Sequence, residues 1–147
     1  MVNPELAGRT YPPTAPYLVG RETVRAFARA VQSTDPLSLD VDAARAAGYA
    51  DVVAPPTFPI VIQQTTLEQL LADEDAGVDF ARVVHGDQRF TFSRPIVAGD
   101  ELVGTMTVTS VKTLGGNAMV TSESVITDLD GAHVVTATSA LVVRGDA

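Results

Sequence analysis

There is no cysteine in this sequence. That excludes disulfides, thiolate metal sites and cysteine nucleophiles, and it fits a cytoplasmic protein. Basic residues are scarce: ten Lys and Arg stand against 18 Asp and Glu, a net charge of −8. Binding to nucleic acid or to an anionic membrane surface needs a basic face, so both roles are disfavoured and the acidity reads as solubility. No run approaches the roughly 18 apolar residues of a membrane helix. The first residues, MVNPELAGRT, have neither the basic start nor the apolar core of a signal peptide. The two histidines, His85 and His133, lie far apart and match no metal-site spacing. Gly115-Gly116 falls between strand-like runs and not before a helix, so no nucleotide loop is expected. Neither a metal nor a cofactor is expected.

What is present is a chain of 147 residues, 46% apolar, which suits one domain over residues 1–147 with a real core. Pro4, Pro12, Pro13 and Pro16 make the first 20 residues an irregular arm. RETVRAFARAV places Val24, Phe27, Ala28 and Val31 at helical spacing, with Arg21, Arg25 and Arg29 on the outer face. Those arginines could meet an anionic partner; a solvated helix face is the preferred reading. A short helix is expected over Val41 to Ala47, ended by Gly48. A longer one is expected from a Thr57 cap to about Asp73, with Phe58, Val61, Ile62, Thr65 and Leu70 inward and Gln and Glu outward. From Phe80 onward the texture is that of three or four antiparallel strands, with turns at LGGN (Leu114 to Asn117) and Asp130-Gly131. Gly99-Asp100 reads as a turn. One long helix beside such a sheet is an α+β layer arrangement.

Three phrases, in this order, carry a resemblance: GRTYPPTAPYLVGRETVRAFARAV (8–31), GYADVVAPPTF (48–58) and RVVHGDQRFTFSRPIVAGD (82–100). They resemble the MaoC-like dehydratase N-terminal domain family and the accessory subunits of the heterodimeric (3R)-hydroxyacyl-ACP dehydratase. The resemblance covers most of the chain. It implies a hot-dog fold, an antiparallel sheet wrapped around a central helix. In the two-domain (R)-specific hydratases, similar P-T-F and H-G phrases belong to the half without the catalytic motif.

Hydrating an enoyl thioester requires a base for water, an acid for carbon and donors for the developing oxyanion. Catalytic members of the family resemble one another in a loop G-D-x-N-P-x-H, whose Asp and His share a water, and in a later A-H-G whose glycine N–H faces the thioester oxygen. With Pro36 as anchor, VQSTDPLSLD puts Gln32 at the glycine, Ser33 at the aspartate, Asp35 at the asparagine and Ser38 at the histidine. Ala54-Pro55-Pro56 stands for A-H-G, and Pro56 has no N–H to donate. General acid–base help is worth roughly 10²–10⁴-fold and an oxyanion donor about 10²–10³-fold, so an intact fold without its own hydration site is expected.

The fallback catalytic candidates are Asp35, His85 and Asp87. Asp35-Pro36 more often starts a turn, and Asp40 or Asp42 caps the next helix. His85 and Asp87, at i and i+2 of a strand, share a face and could pair; a structural or acyl-pocket role is preferred for them. His133, beside the Asp130-Gly131 turn, reads as a solvated edge residue. The resemblance places Pro56, Thr57, Phe58, His85 and Gly86 along the acyl path. The preferred reading is a noncatalytic, acyl-binding subunit that pairs with a catalytic MaoC-like subunit and takes acyl-CoA or acyl-ACP. The alternatives are a self-sufficient homodimeric hydratase or dehydratase with unconventional groups, and a homodimeric acyl-thioester binder.

Overall fold

The β-branched runs after residue 80 form the sheet, and the computed structural model describes residues 1–145. The strands are β1 (Tyr17–Leu18), β2 (Val83–Phe92), β3 (Glu101–Leu114), β4 (Asn117–Asp128) and β5 (His133–Val143). They pair antiparallel in the order β1-β3-β4-β5-β2. In β3, Leu102, Gly104, Met106 and Val108 are buried on alternate positions, and β5 buries Val135, Ala137, Ser139, Leu141 and Val143 in the same way. That period of two gives the sheet one inward face. The expected turns at Leu114 to Asn117 and Asp130-Gly131 join these strands.

The helices are α1 (Arg21–Ala30), α2 (Pro36–Leu39), α3 (Val41–Ala46) and α4 (Ile60–Ala72). α4 is the central helix, and the sheet curls around it in the hot-dog arrangement. Contact is closest at Gly104, where an added Cβ would lie 2.7 Å from Thr66 Cγ2. Beside it the Thr66 and Ser124 hydroxyls share a hydrogen bond of 2.8 Å.

Two expectations for α4 are corrected. Thr57 does not cap it: the helix opens at Pro59 without a side-chain cap, through turn bonds from Ile60 N–H to the Thr57 carbonyl and Ile62 N–H to the Pro59 carbonyl. The inward stripe is Ile62, Gln63, Thr66 and Leu70, so Gln63 and Thr66 take places assigned to Thr65 and apolar neighbours. The sheet opposite carries buried Ser122, Ser124 and Ser139, which gives the interior a polar floor that apolar periodicity does not register.

The proline-rich arm, expected to be irregular or extended, is both: it holds a 3-10 turn at Pro4–Leu6, ends in β1 and is fixed in place. Leu6 is fully buried, and Gly8, Tyr11 and Thr14 N–H groups donate to the Val108, Met106 and Gly104 carbonyls of β3. Tyr11 and Arg9 both donate to the Asp73 carboxylate at the end of α4, at 2.7 and 2.6 Å. Burial, then the hydrogen bond to Asp73, pushes the Tyr11 phenol up to about 12.

Candidate functional site

A cavity of about 390 Å³ opens between two walls. The first wall is the segment from the end of α1 through α2, with residues 53–56 behind it; the second is the end of β2 and the residues that follow it, Phe92 to Pro95. α1 ends in a paired closure: Gln32 N–H donates to the Arg29 carbonyl and Ser33 N–H to the Ala28 carbonyl. This is a Schellman arrangement, and it requires a left-handed residue between them. That residue is Gln32, with φ 58°, where the family loop has glycine. Asp35 then caps α2 by accepting from Leu37 N–H at 3.0 Å, and Pro36 occupies the first helical position.

Ser33, Asp35 and Ser38 all line this cavity. Their chemistry is limited. Ser38 is buried, and its hydroxyl donates to the Val53 carbonyl at 2.6 Å. The Asp35 carboxylate is engaged as a helix cap. Pro55 and Pro56 bring no N–H to the cavity, and the Ala54 N–H is held by the Ile96 carbonyl at 2.8 Å. Val53 bridges to Val97, so this wall is stitched to the segment that follows the second one.

On the second wall the Arg94 guanidinium grips Asp100 through both terminal nitrogens, at 2.7 and 3.2 Å, and Asp100 also accepts from Val97 N–H. The Gly99-Asp100 turn thus also anchors a pocket residue. Ser93 is exposed, and its hydroxyl meets Nδ1 of His133 at 2.5 Å. The other ring nitrogen of His133 lies 2.8 Å from the Thr136 hydroxyl. His133 is therefore not a solvated edge residue: it is half-buried, starts the interior strand β5, and has both nitrogens engaged. Sequence reasoning missed Ser93, which lies 40 residues from its partner.

The remaining candidates are scattered. A β-bulge lies between His85 and Asp87, so the simple i, i+2 geometry fails there. His85 Nε2 meets the Asp87 main-chain carbonyl at 3.1 Å, while the Asp87 carboxylate lies 4.0 Å from Arg89. The His–Asp side-chain pair that the spacing allowed does not form, and the two residues have other partners. His85 instead lines a second, small cavity of about 40 Å³ with Gln63, Ser122 and Ser139. Gly86 packs against the Ala140 carbonyl. Of Pro56, Thr57 and Phe58, only Pro56 lines the large cavity. Thr57 is exposed, and Phe58 is fully buried with its ring edge-on to Phe27 at 5.3 Å.

The arginine face is largely committed. Arg21 makes a bidentate contact with Asp51, and Arg25 reaches Glu22 and the Leu39 carbonyl. Its hydrogen bond from Arg21 holds the Asp51 carboxyl down at about 2. No cluster of His, Cys, Asp and Glu fit to hold a metal occurs among the described residues. None of their helices is long and apolar enough to cross a membrane.

Comparison with known proteins matches this architecture. The family described as "FAS1-like, dehydratase domain region" matches residues 5–137. The UPF0336 protein Lxx02810 of Leifsonia xyli subsp. xyli is 69% identical over 99% of this chain and 97% of its own length. Among solved structures, a chain of the C-terminally truncated HadBC (3R-hydroxyacyl-ACP dehydratase) complex from Mycobacterium tuberculosis superposes with a TM-score of 0.84. It is 34% identical, over 93% of this chain and 96% of that one. A MaoC-like dehydratase superposes with a TM-score of 0.83 at 35% identity, over 95% of this chain and 42% of the longer one.

Proposed function

The chain belongs to the FAS1-like dehydratase region family of MaoC-like hot-dog proteins, and from that premise we propose that it is the noncatalytic, acyl-binding subunit of an (R)-specific enoyl-thioester hydratase or 3-hydroxyacyl-thioester dehydratase of fatty-acid metabolism. One observation carries the reading. Ser33 and Ser38, which the family resemblance sets at the acid and base positions, both line the cavity, and Ser38 donates to a main-chain carbonyl. Neither hydroxyl titrates near neutrality, and Pro56 gives no N–H to the developing oxyanion. The site retains room for an acyl thioester and lacks the groups that add water to it.

The missing groups would come from a second hot-dog subunit. The outer edge of β2 has no strand beside it among the described residues, and at ten residues it is far longer than the opposite edge, β1. Val84 and Phe92 are exposed along it and Phe80 just before it. A long, partly apolar open edge is a docking surface for another strand. The HadBC similarity supports a heterodimer of this kind. In such a pair the acyl group would pass Pro56 and the region of Thr57, Phe58, His85 and Gly86.

The test is hydration of a short enoyl thioester, followed by loss of conjugated absorbance. Purified protein alone is expected to be silent, and activity is expected on mixing with a MaoC-like subunit that carries Asp and His. Clear turnover by the protein alone, unchanged in Ser33→Ala and Ser38→Ala, would sink the proposal.

A further inference from the structure

We propose that Ser93 and His133 form a nucleophile–base pair that accepts acyl groups from thioesters, an acyl-transfer activity beyond the role proposed above. Ser93 lines the large cavity with its neighbours Phe92 and Arg94, and His133 lies within hydrogen-bonding reach of it. Three observations point to it. Ser93 is an exposed residue, open to a substrate from the solvent side. Its oxygen is within hydrogen-bonding distance of His133 Nδ1. The opposite nitrogen, Nε2, is 2.8 Å from the Thr136 hydroxyl. When Thr136 accepts Nε2–H, Nδ1 is left as the acceptor that a general base needs, and the serine proton has somewhere to go. The register of β2 on β5 builds the site. Phe92 pairs with Val135, and the next residue continues the ladder, Ser93 N–H donating to the Val134 carbonyl at 2.8 Å. The serine is thus held beside the first residue of β5.

The step balances within these groups. Ser93 Oγ attacks the thioester carbonyl carbon while its proton passes to His133 Nδ1. The C–S bond breaks, and the departing thiolate takes that proton as a thiol. The acyl group remains as an ester on Ser93. Water, deprotonated by the same Nδ1, then releases it as a carboxylic acid and restores the hydroxyl. The third group is a threonine hydroxyl and not a carboxylate, so the imidazolium formed in the transition state gains no charge partner. Both steps are therefore slow, and because the thiol leaves more readily in the first than the serine alkoxide does in the second, release is the slower one and the acyl-serine accumulates.

The test uses the full chain with the S-butyryl thioester of N-acetylcysteamine and intact and peptide mass spectrometry. A single butyryl adduct on Ser93 is expected. It should be absent in Ser93→Ala and form roughly 10²-fold more slowly in His133→Gln. Thr136→Val should slow it, and Thr136→Ser should restore it. No adduct on the unaltered chain, an adduct at another residue, or an unchanged rate in His133→Gln overturns the proposal.

Discussion

Ser38 and Ser93 face the same cavity and differ in what holds them. Ser38 belongs to a wall backed by the core, and its hydroxyl proton lies on the Val53 carbonyl. Ser93 belongs to an open wall at the end of a strand, and its hydroxyl meets an imidazole. The residue type is identical, but the partner decides the role. A carbonyl only accepts, so it fixes the first serine as a structural tie. An imidazole both accepts and returns a proton, so it makes the second a potential nucleophile. On the reading proposed above, a first wall without hydration groups still leaves a nucleophile candidate on the second.

The largest expected difference between the walls is in stability. Ser38→Ala leaves the Val53 carbonyl without its donor on the buried side of the loop and should cost about 1–3 kcal/mol. Ser93→Ala, at an exposed site, should stay within about 0.5 kcal/mol of the parent. Denaturant midpoints for the two variants measure this directly, and equal losses would remove the distinction. A smaller effect of opposite sign is expected at the start of the same wall. Gln32 holds φ 58°. Gln32→Gly relieves a left-handed conformation that costs a side chain about 1–2 kcal/mol. The greater freedom of glycine in the unfolded chain takes back roughly 0.5–1 kcal/mol. The net expectation is a gain of up to about 1.5 kcal/mol in unfolding free energy, and a loss would show that Gln32 makes compensating contacts through its side chain.

The first wall was the legible one, and for a local reason. Asp35-Pro36 reads as a turn start, and the structure makes these two residues the cap and first residue of α2, so the signal is local even though it reads as a turn. The helices, the hairpin turns and the alternating strands were legible on the same short-range signals. The second wall was not. Ser93 and His133 meet only because β2 and β5 pair in one register, and nothing within either segment announces that. His85 and Asp87 fail for the converse reason: the bulge between them breaks a period that the sequence displays without interruption. Gln63 is buried beside a small cavity that it shares with Ser122 and Ser139, surroundings set by the sheet and not by the helix.

The smallest effect separates a buried tie from a surface one on the same wall. Asp51 opens the segment that carries Val53, and Arg21 clamps it with two hydrogen bonds, at 2.9 and 2.7 Å. Arg21 is 44% exposed at its side chain, so solvent screening keeps the pair weak. Its sign with pH is nonetheless fixed. The Asp51 carboxyl is lowered from 3.8 to about 2 in the folded chain, chiefly by the Arg21 hydrogen bond. A depressed carboxyl contributes stability that is complete above its unfolded value and is lost as pH falls through the folded one. The contribution should therefore be present at pH 5 and fade between about pH 4 and pH 2. Arg21→Ala should flatten that part of the acid-stability curve while leaving the Ser38 difference intact at neutral pH. An acid limb unchanged by Arg21→Ala would mean that the wall is held from inside alone, by Ser38 and the strand-like bridge at Val53.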